Sequence, residues 1–321
     1  MTTLHARPWL VACAACGLVA LAAGARPASS SSTALAATGS TLPVVAEHRY
    51  RLAAKIRPLL LFWIGRDNVG GARIQWRQGE EGARGIELLI GSDPQRAPRG
   101  INRWGYISEE VRGQTAEVVG VMKQSDEESL EEAKSRLANE AKEGYAFKAI
   151  RAKVNGNEAV STITTARAPR DYTYRDLTPL LELIDQHPVA TRQRQMRLAA
   201  GTRPGFLSAL TELMQRTIEA YRQSPKTPVP ARSLDYVYNA KLCKLTLRSS
   251  SYRDRLRVRD RDYARVVESE FQVYAYDSTE TEDFELTYGT EGPLAGIPVF
   301  MTYQPRWWFK AELVLDENER F

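Results

Sequence analysis

The stretch FKAIRAKVNGNEAVSTITTA, residues 147–166, decides the fold class. Two strand-like runs, Phe147–Val154 and Ala159–Ala166, flank Asn155-Gly156, a dipeptide suited to the left-handed backbone of a tight hairpin turn. The same two-residue alternation recurs on either side. Towards the N-terminus, Tyr50, Leu52, Ala54 and Ile56 alternate with Arg51, Ala53, Lys55 and Arg57, the pattern of a half-buried strand. Leu59 to Ile64 is an apolar run fit for a strand covered on both faces. Pro58 marks a bend or an edge. Gly65 to Gly71 (GRDNVGG) reads as a turn. Ala72–Trp76 and Ile86–Ile90 flank a second turn at Gln78–Gly82, so the N-terminal half reads as an antiparallel meander, continued by a strand pair at Gly105–Val111 and Thr115–Met122.

Ser125 with Glu128 forms a capping box, which predicts a helix closed by Gly144. Helices are also expected over Leu177–Gln186 and Pro204–Gln223. The latter repeats Phe206, Leu207, Leu210, Met214, Thr217 and Tyr221 on one face. Thr191 to Arg203 has little periodicity and reads as loop or a weak helix, and Ser224–Ala231 as a stiff proline-rich link. Strands resume over Tyr236–Arg248, Tyr263–Tyr276, Phe284–Tyr288 and Val299–Tyr303. Trp307 to Asp316 is the cleanest alternation in the chain. The expectation is an α+β protein: a curved antiparallel sheet, incomplete β-barrel-like, with helices packed on one side.

Residues 1–25 read as a cleavable signal peptide: Arg7 is the positive n-region, Trp9 to Ala23 the apolar region, and Ala23-Gly24-Ala25 the small-x-small cleavage site. Leu10-Val11-Ala12-Cys13 matches a lipid-attachment box, but most of the apolar stretch follows Cys13 rather than preceding it, so a lipoprotein is not expected. Residues 26–46 read as a disordered tether, rich in Ser, Ala and Thr. Residues 47–170 form a β-rich N-terminal half with one helix, 171–231 a helical segment with the proline-rich link, and 232–321 a β-rich C-terminal half. The two halves belong to one domain if the terminal strands join the early meander. Cleavage removes Cys13 and Cys16, leaving Cys243 without an intramolecular partner. Its alternation with Lys244 predicts a core-facing position.

The formal net charge of +5 is too small over this length to indicate nucleic acid. His48 and His187 lack neighbours at metal-ligand spacing, and no nucleophile elbow or phosphate loop occurs, so neither metal nor cofactor is expected. Paired carboxylates are available at Glu80-Glu81, Glu109-Glu110 and among Glu268, Glu270, Glu280, Glu282, Asp283 and Glu285. A solvated face balanced by arginine is the simpler reading of them. Two features ask for more. Arg253, Arg255, Arg257, Arg259 and Arg261 recur every second residue. In one extended strand they would share a face fit for anionic headgroups; the alternative is a solvated hairpin end, its charge partly neutralised by Asp254, Asp260 and Asp262. Trp63, Trp76, Trp307, Trp308 and Phe309 could fill a core or line an apolar groove for a ligand.

Val69-Gly70-Gly71-Ala72-Arg73-Ile74, leading an early strand, and Gly296-Ile297-Pro298-Val299, entering the hairpin that ends at Leu315, resemble the incomplete β-barrels of bacterial periplasmic proteins of the lipoprotein-carrier type. That resemblance implies a curved sheet around a helical plug, with an apolar cleft. It carries over no functional residue. The long central helices and the proline-rich link depart from a minimal carrier.

The functional expectation is an exported, non-enzymatic binding protein of the bacterial envelope, periplasmic or secreted, for an apolar or amphipathic, lipid-like ligand, with an anionic membrane surface as a second partner. An envelope assembly module docking a protein is the alternative, and a hydrolase using acidic side chains the third.

Overall fold

Strands dominate because bulky and β-branched residues recur with a period of two, and the computed structural model extends nearly every expected strand. It describes residues 40, 42–56, 64–97, 100–123, 144–278, 281–306 and 309–319. Residues 1–25, read as a signal peptide, most of residues 26–46, read as a tether, the helix expected from Ser125, and Leu59–Trp63, Glu280, Trp307 and Trp308 lie outside them.

The first half comprises β1 (Val44–Ile56), β2 (Ile64–Gln78), β3 (Arg84–Ser92), β4 (Trp104–Arg112), β5 (Thr115–Lys123), β6 (Tyr145–Asn155), β7 (Glu158–Ala168) and β8 (Pro188–Arg197). Helix α1 (Leu177–Gln186) lies between β7 and β8, and α2 (Phe206–Gln223) follows β8. The second half comprises β9 (Arg232–Tyr238), β10 (Lys241–Val258), β11 (Arg261–Ala275), β12 (Thr281–Gly289), β13 (Pro298–Arg306) and β14 (Phe309–Leu315). The fourteen strands among the described residues form one antiparallel sheet, in the order β8-β7-β6-β5-β4-β3-β2-β1-β14-β13-β12-β11-β10-β9. Each half is a meander, and the pairing of β1 with β14, from Tyr50↔Leu315 to Ile56↔Phe309, splices them. The sheet curls without closing. Its edges are β8 and β9.

The β6–β7 hairpin turns at Asn155-Gly156 as expected, with Gly156 at φ +58°. Three expectations need correction. GRDNVGG does not turn the chain. It lies within β2, where Gly65 pairs with Lys55 and Gly70 with Leu52 around a register shift, and Asn68 takes the left-handed backbone of a bulge. Gly70 is required there, because a Cβ would lie 2.1 Å from the Gly91 carbonyl oxygen. Most of Thr191–Arg203 is neither loop nor helix: residues up to Arg197 belong to β8, which is exposed over most of its length and so shows no apolar alternation. Tyr236–Arg248 is split between β9 and β10 by a tight turn in which Asn239 and Ala240 both have positive φ.

The helices do not share one side of the sheet, which is the fourth correction. Leu89, Tyr106, Val121, Phe147 and Ala166 pack with Leu177, Leu180, Leu181 and Ile184 of α1. Their sequence neighbours Leu88 and Ile107 join the core built around α2. Adjacent strand residues face opposite ways, so α1 covers the outside of the curved sheet and α2 fills its inside. Leu207, Leu210, Leu213 and Met214 are wholly buried there against Phe271, Leu286, Tyr288 and Leu247 from the other half. Each such side chain contributes about 1.5–3 kcal/mol from burial. Cys243 faces this core as the alternation with Lys244 predicts, and burial pushes its thiol up to about 12.

Candidate functional site: a charged groove at a hairpin end

The inside of the sheet holds little space. Beside Tyr50, Ile74, Leu88, Phe300, Met301 and Leu313 there is a void of about 10 Å³, room for at most one water. Trp76 is buried in the surrounding core, edge-on to His48 with ring centroids 5.3 Å apart, and packs as a structural side chain. This void is far too small to be the apolar cleft that the carrier resemblance implies.

A larger concavity, about 590 Å³, lies where the β10–β11 hairpin end meets β1, β2, β13 and β14. It follows from the lengths of the strands. The β10–β11 pair runs on to Val258↔Arg261, whereas β12 accompanies β11 only as far as Val266. The unaccompanied end reaches across to β14 and β2. Arg259, in the turn at φ +55°, donates from Nη2 to Glu312 Oε2 at 2.9 Å and from Nη1 to Asp67 Oδ1 at 2.7 Å. Lys55 Nζ donates to the other Glu312 oxygen at 2.5 Å. Burial alone would raise the Glu312 carboxyl, but Lys55 and Arg259 outweigh it and hold the group below its usual range.

The groove is amphipathic. Leu256, Val258 and Phe300 supply apolar surface, and Lys55, Arg257, Arg259, Asp67, Glu268 and Glu312 supply charge. Glu268 is held by Arg253 at 2.6 Å. Arg257 differs from its neighbours: its Nε reaches only the Arg259 carbonyl, at 3.3 Å, and no carboxylate engages it among the described residues. A second hollow of about 240 Å³ includes Arg248, Glu270, Glu285, Thr302 and Lys310. Lys310 pairs in register with Lys55, one position from Ile56↔Phe309.

The five alternating arginines therefore do not form one row. Arg253, Arg255 and Arg257 share a face of β10, Arg259 sits in the turn, and Arg261 opens β11 on the other face, opposite Val258. Arg255 pairs with Asp262 at 2.7 Å, and Arg261 reaches Asp316 at 3.5 Å and the Leu315 carbonyl. Only Arg257 and Arg259 line the groove. Of the aromatic set, Phe309 pairs with Ile56 and with Arg306, which puts the ends of the β1–β2 and β13–β14 hairpins side by side next to Lys55 and Lys310.

The carboxylate pairs are engaged in other work. Glu282 accepts from Tyr303 at 2.7 Å and Glu285 from Thr302 at 2.6 Å. Glu110 accepts from Ser40 and Arg112. Glu80 and Glu81 are exposed in a short turn. Glu109 lies on no solvated face: it is buried inside the barrel, against the N-terminus of α2. Sequence reasoning missed this role, since nothing local to Glu109 announces a helix that starts nearly a hundred residues later. Among the described residues, no three His, Cys, Asp or Glu side chains cluster as a metal site.

No family model matches this chain, and no curated protein matches it in sequence. Among solved structures, it is similar to a beta-barrel-like protein of a domain of unknown function from Brucella abortus, at 10% identity over 85% of this chain and 98% of that one, with a TM-score of 0.42. It is also similar to a candidate lipoprotein from Parabacteroides distasonis, at 11% identity over 85% of this chain and 95% of that one, with a TM-score of 0.28. The description of this chain as an unclosed, curved sheet rests on its own strand order.

Proposed function

We propose that this chain is an exported, non-enzymatic binding protein of the bacterial envelope, which holds an amphipathic anion at the hairpin-end groove rather than inside the barrel. One observation carries the reading: apolar surface from Leu256, Val258 and Phe300 adjoins cationic groups of Lys55, Arg257 and Arg259 in one concavity of about 590 Å³. That size falls within the range of small-molecule sites, and a mixed lining suits a ligand with a charged head and an apolar body. Arg257 is the group best placed to take the head, because no carboxylate among the described residues competes for its fork. The strand ends at Ile56, Ile64 and Phe309 open beside the groove, and the chain joining them carries Leu59, Leu60, Leu61, Phe62, Trp63, Trp307 and Trp308. Export rests on the signal pattern of residues 1–25.

The test is a fluorescence titration of the chain from Arg26 onward with dansylaminoundecanoic acid. Saturable micromolar binding is expected, weakened roughly tenfold by Arg257→Gln, as for loss of a charge-assisted hydrogen bond. Replacing the acid by its amide should weaken binding similarly. Absence of saturable binding, or equal affinity in Arg257→Gln, overturns the proposal.

A further inference from the structure

The edge strand β8 differs from every other strand in being both exposed and one-signed in charge. Its sequence, PVATRQRQMR, carries three arginines and no carboxylate. It pairs with β7 from Glu158↔Arg197 to Ala166↔Pro188, and no strand pairs with its other side among the described residues. The opposite edge is different. There β9 is bridged by Arg203, whose N–H donates to the Asp235 carbonyl at 2.8 Å and whose carbonyl accepts from Val237 at 3.0 Å.

Arg192 and Arg194 lie two residues apart, so they share a face. They stand opposite Ile163 and Ser161, neither of which is ionisable. Neither guanidinium makes an ion pair or hydrogen bond among the described residues, whereas Arg253, Arg255, Arg259, Arg261 and Arg265 all meet carboxylates. Arg197 stands opposite Glu158, whose carboxylate is already engaged by Gln195.

We infer that β8 is a docking strand for an extended acidic segment of a partner protein, which adds to the sheet beside it. An edge strand presents a row of unpaired N–H and C=O groups that templates a further strand. Ten residues give a ledge of about 33 Å. Guanidinium groups at alternate positions select a partner with carboxylates at alternate positions, since opposite charges across a strand pair stabilise it and like charges destabilise it. The same rule disfavours a second copy of this chain, because β8 paired antiparallel with itself sets arginines among arginines. One charge pattern thus repels self-association and admits an acidic strand. The inference stands independently of the hairpin-end groove.

The experiment uses a fluorescein-labelled peptide with glutamate at alternate positions between valines, titrated into the chain from Arg26 onward and read by anisotropy. Saturable binding is expected, reduced at least about fivefold when glutamine replaces the glutamates and in the double variant Arg192→Glu, Arg194→Glu. Arg192 is exposed and Arg194 half-buried, so a thermal melt checks that the double variant keeps its fold. A peptide N-methylated at alternate residues, on the edge meant to face β8, should fail to bind. The inference is overturned by absence of binding, by equal binding to the double variant, by undiminished binding of the N-methylated peptide, or by inorganic polyphosphate of equal charge competing as well as the acidic peptide itself.

Discussion

Glu109 of β4 accepts the backbone N–H of Ser208 at 2.8 Å and its hydroxyl at 2.7 Å, across 99 residues of sequence. The other carboxylate oxygen accepts from the Leu207 N–H at 2.7 Å. Helix α2 begins after Gly205, which has no side chain to cap it, so the barrel wall supplies the cap and at the same time anchors the plug. Replacing Glu109 by alanine strands buried donors at the helix start. A loss of about 2–4 kcal/mol in unfolding free energy is expected, read from the urea midpoint.

The same contact sets a pH dependence. Burial raises the Glu109 carboxyl above its ordinary value, against the pull of Ser208 and Leu207. A group whose folded value lies above its unfolded value stabilises the fold at low pH, and that contribution is lost as pH rises through the folded value. Wild type should therefore gain stability relative to Glu109→Gln on acidification from neutrality towards pH ~4.5, near the unfolded value. Urea midpoints of both proteins across that window check the sign. Parallel curves would refute it.

Gly205 is the counterpart of the cap. A Cβ on this residue would lie 2.2 Å from Glu109 Oε1, so Gly205→Ala must displace the carboxylate. The expected cost is about 1–3 kcal/mol in wild type and much less in the Glu109→Ala background. A double-mutant cycle measures the coupling.

The plug itself is testable at Leu213, wholly buried in the core that joins the two halves. Leu213→Ala should cost about 2–5 kcal/mol and lower the thermal midpoint. An equivalent truncation at Val189, 64% exposed on β8, should change stability by less than about 0.5 kcal/mol.

Cys243 is expected to be inert in the folded protein. Its thiol is buried and pushed up to about 12, so almost no thiolate forms at pH 8. Iodoacetamide at that pH should leave the Cys243 peptide unmodified until denaturant is added. Mass spectrometry distinguishes the two states.

Sequence patterns were most informative where the physics is local. Asn155-Gly156 fixes a hairpin through the backbone of two residues, and the apolar stripe from Phe206 to Tyr221 fixes α2 through its own period. They misled where composition has two meanings. Glycine and asparagine in GRDNVGG serve a bulge and a close approach of β2 to β3, not a reversal of the chain. In β8 most side chains are exposed on either face, so its strand character leaves no alternation to read. The regular arginine spacing suggested one shared face, but the turn at Arg259 divides the row, and only the fold brings Arg257 near Lys55 and Phe300. Glu109 is the extreme case, since its function belongs to a helix it meets only in three dimensions.

The splice of β1 to β14 has a consequence for the order of events in folding. The register Tyr50↔Leu315 joins residues close to the two extremes of the described chain, so this seam cannot zip until every residue between them is available. Closing so long a loop carries an entropic cost that nothing local repays, and topologies dominated by such contacts fold slowly. The two meanders can each form hairpin by hairpin, yet α2 has no complete socket before they meet. A ribosome or a translocation channel releasing this protein from its N-terminus would therefore hand over an unfinished, sticky half-sheet for most of the transit, and a holding chaperone that shields β1 until β14 emerges should raise the yield of native protein.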